Sequence, residues 1–330
     1  MKAKINKEGM DNNIMIAPSS TYNHKEYKNN NGDPGHRKNK KSKSSLITSK
    51  NAPYIFVFPA VFFFLLFTAY PIVKSFILSF QKNEGGTNTF AGLENYIRLF
   101  QDSLFYQSLA NTLIILAIQV PIMIFLALVL ANLMNSTLLR MKGFFRVSFF
   151  SPAVTSLVSA SVIFLLLLNP DYGIINFLLS YLGIDPVGWL NSSFWAKVSI
   201  VMVMIWRWTG YNMIILLAGL QNISEDLYEA ARIDGAGIIR QFFSITIPQL
   251  RPVILFTTIT STIGTLQLFD EPYNLTGGGP VNSTTTITMY LYENAFQYFD
   301  FEYASAIAYV VVVIIAIISF VQFKLGDDKK

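Results

Sequence analysis

The chain has 330 residues, 52% of them hydrophobic and 14% charged, with 28 phenylalanines and a formal net charge of +5. A soluble domain carries about 25% charged residues, so too few are present to cover a watery surface, and several apolar runs of about 20 residues point to a bilayer. Cysteine is absent and both histidines, His24 and His36, sit in the polar N-terminal stretch, which excludes disulfides, thiolate metal sites and a histidine-based catalytic centre in the apolar body.

Residues 1–50 hold eleven of the 25 Lys and Arg, including Arg37, Lys38, Lys40, Lys41 and Lys43. This stretch is rich in Asn, Ser and Lys, which predicts a disordered cytoplasmic tail. Because the charge is concentrated there, it argues for topology control or lipid headgroups as its partner, not nucleic acid. The tail has no apolar core of a signal peptide, so the first apolar run is expected to stay as an anchor.

Residues 51–330 read as an all-α integral membrane domain. Six membrane helices are expected, over about 54–80, 108–134, 147–168, 196–217, 252–269 and 304–323. Pro71 and Pro121 fall inside the first two, as membrane helices allow. Residues 174–182 are apolar but too short to span and suit an interfacial helix after the turn at 169–173. The run Thr276–Val281 suits a tight Gly-Pro turn. Lys and Arg cluster in the tail, in the 140–146 segment, in the 232–251 segment and at Lys324, Lys329 and Lys330. The positive-inside rule puts all of these on one side, so both termini are expected in the cytoplasm.

The loop between helices four and five, residues 221–251, holds the most specific pattern. Ser224 suits an N-cap, with Glu225 and Asp226 in a first turn. A short helix through Glu229, Ala230 and Ala231 is expected to turn after Asp234 at Gly235. A second short helix, about Ile238–Ile245, is expected to end at Pro248. The result would be a compact two-helix knob.

Polar residues at membrane depth by default suggest a pathway. Ser261, Thr265 and Leu268 are spaced i, i+4, i+7 on one face of helix five, with Gln267 beside them. Trp208, Thr209 and Asn212 stand on helix four. Hydroxyls of a sugar suit such polar groups and its C–H face suits an aromatic ring. Ser and Thr also serve plain helix–helix hydrogen bonding. Arg207 has three readings: an acidic substrate's partner, a snorkelling residue, or a partner of Asp270 or Glu271.

The sequence Glu229–Pro252, EAARIDGAGIIRQFFSITIPQLRP, resembles the cytoplasmic signature loop of bacterial ABC importer permeases, with Ile247 where Leu usually precedes the proline. FAGLENYIRLF (Phe90–Phe100), AGLQNISEDLYEAARIDGAG (Ala218–Gly237), FDEPYNLTGGGP (Phe269–Pro280) and YASAIAY (Tyr303–Tyr309) are similar to the carbohydrate uptake group of maltose, glycerol-3-phosphate and multiple-sugar type. The tail has no counterpart there. The resemblance implies the type I importer permease fold in a bacterial cytoplasmic membrane. It implies that Glu229, Ala230, Ala231, Asp234, Gly235, Ile245 and Pro248 couple to an ATPase. It aligns Trp208, Thr209, Asn212, Ser261, Thr265, Gln267 and Leu268 with sugar-contacting faces. The implied partners are a second permease subunit in a heterodimer, two ATP-binding ATPase subunits, an extracytoplasmic solute-binding protein and a sugar. The chain itself would be non-catalytic, without cofactor or metal. It carries no G-x-x-x-x-G-K-[ST] phosphate loop. A non-sugar solute such as a glycerophosphodiester is the alternative cargo. A stand-alone secondary transporter is disfavoured by helices nearly free of Asp and Glu and by the lack of a clear repeat.

Overall fold

The computed structural model describes residues 51–136 and 139–326. The basic tail and the last four residues, with Lys329 and Lys330, lie outside the described residues. The chain divides into two units, Met1–Phe58 and Pro59–Lys330. The described residues of the first unit open a helix, and the second holds everything discussed below.

Long apolar runs without charges form long helices, because in hydrocarbon every backbone group must be satisfied within its own segment. Helix α1 is Pro53–Leu78, α3 is Ser103–Asn135, α7 is Ser193–Leu220, α9 is Ile238–Leu266 and α12 is Phe301–Gly326. These five are long and apolar enough to span. The shorter pair α4 (Lys142–Val154) and α5 (Leu157–Leu167) makes a sixth if counted as one broken span. Between them lie α2 (Glu94–Gln101), α6 (Ile174–Ser180), α8 (Glu225–Ile233), α10 (Asp270–Leu275) and α11 (Ile287–Tyr292). An antiparallel hairpin, β1 (Gln81–Glu84) with β2 (Thr87–Phe90), pairs Gln81 with Phe90. The all-helical expectation did not include it.

Two expected boundaries move for physical reasons. The third span was expected as one helix over 147–168, yet α4 and α5 meet at 97°. Pro152 sits in the last turn of α4, and Thr155 and Ser156 are extended (ψ 142° and 131°), so the ladder stops there. The fifth helix was expected to start at about 252, but α9 begins at Ile238 and runs through Pro248. A π turn at Phe242–Thr246 precedes the proline, and the Ile247 amide donates to the Phe242 carbonyl. The same device occurs in α1, where a π turn at Leu65–Ala69 precedes Pro71. In both, the widened turn ends two residues before the proline. It accommodates a residue that has no N–H to give and whose ring crowds the preceding carbonyls.

Among the described residues the core has three clusters. Val120–Met134 of α3 packs with Met213–Leu220 of α7 and Leu250 of α9. Phe164, Trp189, Ile200–Met204, Leu268 and Leu275 form a second cluster. Leu99, Phe105, Ile287, Tyr290, Tyr303 and Ile307 form the third. Beside the third, Asp102 caps α3 by accepting from the Leu104 amide (2.9 Å) and from the Tyr303 hydroxyl (2.9 Å), with Tyr290 also bonded to it. Burial works to raise the Asp102 carboxyl, but these hydroxyls and amides outweigh it and hold it below the usual carboxylate range. By contrast, α1 buries no residue from Pro59 to Leu78. Its apolar surface is of the kind covered in a membrane by lipid or by another chain.

Candidate functional site

The loop between α7 and α9 is an elbow. Ser224 caps α8: its Oγ accepts from the Asp226 amide at 3.3 Å and donates to the Asp226 carboxylate at 3.2 Å. Glu225 and Asp226 occupy the first turn and Arg232 the last, both matched to the helix dipole. The end of α8 is a Schellman cap. The Gly235 amide donates to the Arg232 carbonyl (3.0 Å) and the Ala236 amide to the Ala231 carbonyl (2.8 Å). Gly235 takes φ +76°, while a Cβ there would meet nothing within 4 Å. Glycine is therefore demanded by backbone angle and not by space.

The expected second short helix is absent as a separate element, because the π turn lets α9 continue through Ile245 and Pro248 as one helix of 29 residues. The elbow is tied together by the Tyr228 hydroxyl and the Thr246 Oγ1 at 3.0 Å. Glu229, Ala230, Asp234 and Gly235 lie exposed on it, and Ala231 and Ile245 are half-buried. Around them the elbow bares apolar side chains: Ile233 is 86% exposed and Ile238 79%, with Ile239 and Phe243 beside them. Such a grouped apolar surface marks an interaction site.

At the far end of α9 is a cavity of about 360 Å³. Trp208 and Asn212 of α7, Ser261 and Thr265 of α9, and Gln267 and Leu268 just beyond it line the wall. Thr209 does not. It is buried, and its Oγ1 donates to the Ile205 carbonyl at 2.6 Å. One residue along a helix turns the side chain by about 100°, which takes Thr209 off the face of Trp208. Thr260, one of the polar residues of helix five, is also on the wall; sequence reasoning missed Gln119 and Met123 of α3, Leu157 of α5, and Met204, Tyr211, Gly264, Phe269, Asp270 and Glu271.

The polar groups of the wall form a chain of contacts across three helices. Thr265 Oγ1 donates to Gln119 Oε1 at 3.0 Å, and Gln119 Nε2 lies 3.0 Å from Met123 Sδ. Ser261 Oγ donates to Asn212 Oδ1 at 3.4 Å, and Asn212 Nδ2 donates to the Trp208 carbonyl at 3.1 Å. Gln119 and Asn212 are buried, so these partners offset much of the cost of removing amides from water.

Among the described residues Arg207 neither reaches the protein surface nor makes an ion pair with Asp270 or Glu271. It is 5% exposed, and its Nη2 donates to the Thr155 carbonyl at 3.0 Å. It thereby caps the broken end of α4, where a carbonyl has lost its helical partner. Nearby, Gly210 lets α4 come close: a Cβ there would lie 1.7 Å from the Phe149 carbonyl oxygen. Among the described residues no ion pair within 4.0 Å joins Arg207 to Asp270 or Glu271. Burial pushes the Glu271 carboxyl above its usual range, while its own backbone amide and the Arg207 charge work the other way. Among the described residues no three His, Cys, Asp or Glu gather as a metal site.

Residues 105–326 match the family described as binding-protein-dependent transport system inner membrane component. The chain belongs to this family. It is 48% identical over 282 residues to the lactose transport system permease protein LacF of Rhizobium radiobacter, covering 84% of this chain and 94% of that protein. It is 37% identical over 285 residues to the arabinooligosaccharides transport system permease protein AraP of Bacillus subtilis (strain 168), covering 86% and 91%. Its fold matches a chain in the crystal structure of a bacterial alginate ABC transporter in complex with alginate pentasaccharide-bound periplasmic protein. That match has a TM-score of 0.74 at 23% identity and covers 84% of this chain and 95% of that one. The chain is thus a multi-pass transport permease of the cytoplasmic membrane, with the importer permease fold.

Proposed function

We propose that this permease carries a sugar or oligosaccharide inward, delivered by an extracytoplasmic binding protein and driven by ATP hydrolysis on separate subunits. The observation that carries the reading is the continuity of α9. Its 29 residues reach about 43 Å, from the apolar elbow at Ile238 to the cavity wall at Ser261 and Thr265. The other helix flanking the elbow, α7, bears Trp208 and Asn212 on the same cavity. Movement of the elbow therefore reaches the cavity through two rigid rods.

In this reading, Glu229, Ala230, Ala231, Asp234, Gly235, Ile245 and Pro248 form the part that an ATPase grips. The small side chains of Ala230 and Ala231 allow close approach, and Ile233, Ile238 and Ile239 supply apolar contact. Trp208, Asn212, Ser261, Thr265, Gln267 and Leu268 face the cargo. Thr209 supports the helix behind them. A second permease subunit completes the pathway, and the pair takes two ATPases. ATP-driven closure pulls the elbows together and opens the cavity outward to receive the sugar; hydrolysis returns it inward. The 48% and 37% identical relatives, named for lactose and arabinooligosaccharides, support a saccharide as cargo.

The test is reconstitution of this chain with its partner permease and ATPase in nanodiscs. Loaded binding protein should raise ATP hydrolysis several-fold over the unloaded form. Cargo movement by this chain without any ATPase would overturn the reading.

A further inference from the structure

The cavity wall has a charge character that selects within saccharides, and this inference rests on the sugar reading above. Its lining includes two carboxylates, Asp270 and Glu271, and neutral hydrogen-bonding groups on Gln119, Asn212, Thr260, Ser261, Thr265 and Gln267. Among the described residues no Lys or Arg lines it. The neighbouring cation, Arg207, is not on the wall: its Nη2 donates to the Thr155 carbonyl, its buried Nε and Nη1 have no hydrogen-bond partner among the described residues, and its charge acts on Glu271. Trp208, Tyr211 and Phe269 add aromatic surface, with the Trp208 and Tyr211 rings edge-to-face at 5.9 Å.

We infer that this chain's half of the pathway passes uncharged polyhydroxyl rings and rejects saccharides that carry a carboxylate, sulfonate or phosphate. A sugar hydroxyl can donate to Asp270 or Glu271 and both donate to and accept from the amides and hydroxyls. The ring's C–H face can lie on the aromatic surface. An anionic group finds no positive partner on this wall. Beside Asp270 it meets a like charge, and in a partly dehydrated site such a charge stays unpaired. A carboxylate held as neutral acid at Glu271 would give one donor hydrogen bond and still no cation. The same chemistry disfavours a glycerophosphodiester.

The binding protein also selects cargo, so the test removes it. The complete membrane complex of this chain, its partner permease and its ATPases is placed in nanodiscs without binding protein. Saturation-transfer NMR is then recorded with a neutral disaccharide, galactobiose, and with its di-acid counterpart, digalacturonate. Transfer to galactobiose should exceed transfer to digalacturonate by at least about tenfold. Asp270→Asn, an exposed position on the wall, should raise the digalacturonate-to-galactobiose ratio several-fold. The double variant Asp270→Asn, Glu271→Gln should raise it further. Equal transfer to both sugars in the unaltered complex would overturn the charge inference and leave the sugar reading standing. A ratio unmoved by Asp270→Asn would overturn it too, by removing the assigned cause. Transfer to neither saccharide would sink the sugar reading itself.

Discussion

The two ends of α9 are built on opposite principles. At the elbow, side chains are exposed, apolar and short of internal partners, and the shape is held by backbone caps and the Tyr228–Thr246 contact. At the cavity, side chains are buried, polar and bonded to one another across α3, α7 and α9. One end leaves its apolar side chains uncovered. The other satisfies its own groups yet leaves a space for a small molecule. Two glycines make the contrast sharp. Gly235 sits in open space and is required by φ +76°, whereas Gly210, where α7 meets the α4 backbone, is required by space.

That contrast predicts different failures, and the larger lies where α7 meets α4. A methyl group added at Gly210 would have to enter the Phe149 backbone carbonyl, which no rotamer change relieves. Overpacking typically costs about 1–3 kcal/mol, and a clash with backbone lies at the upper end. Gly210→Ala should therefore separate α4 from α7, free the Arg207–Thr155 cap, and lower the yield of folded, detergent-stable protein several-fold. Size-exclusion profiles with thermal melts would check it. A Gly210→Ala chain that melts like the parent would mean that the close approach is not needed.

Gly235→Asp is the next largest in its effect on the fold but the more complete in its effect on transport. Asp tolerates the left-handed region better than most residues, so the elbow should keep its turn at a cost of about 1 kcal/mol. The new carboxylate, however, adds charge beside the exposed Ile233 on the surface proposed to meet the ATPase. Uptake should fall on the order of a hundredfold while membrane abundance stays level. Abundance by immunoblot and uptake of labelled sugar, measured on the same cells, separate the two effects. Normal uptake would remove the docking role.

The same contrast explains what could be read from sequence. The elbow is local: its cap residue, its alanines and its turn glycine lie within a dozen positions, so the residue pattern predicts its shape, while the coupling role comes from the family resemblance. The membrane helices were equally legible, since a long apolar run has few other fates in lipid. What escaped was non-local or exceptional. Gln119 and Met123 reach the cavity only because α3 packs on α7 and α9, and no spacing in sequence reports that. The carbonyl that Arg207 caps is freed by a helix break that apolar composition hides. Pro248 looked like a helix end, since proline ordinarily stops a soluble helix. The π turn before it, also found before Pro71 in α1, converts the stop into a continuation. Thr209 aligns with a sugar-contacting face, but helical rotation turns its side chain away from the wall.

The smallest effect tests whether the elbow's shape depends on its own caps or on a partner. Ser224→Ala removes one cap acceptor, worth about 1 kcal/mol. Only the first turn of α8 depends on it, because the Schellman bonds at Gly235 and the Tyr228–Thr246 contact are left intact. In the isolated chain, amide exchange at Asp226 and Leu227 should quicken by roughly fivefold, the factor that such an energy represents. In the assembled importer the same amides should slow back toward the parent rate, since an ATPase covering Ile233 and Ile238 would hold the turn from outside. Uptake should then fall less than about twofold. Faster exchange that persists in the full complex would mean that the elbow is not gripped along α8, and would move the docking surface to Ile239 and Phe243 at the start of α9.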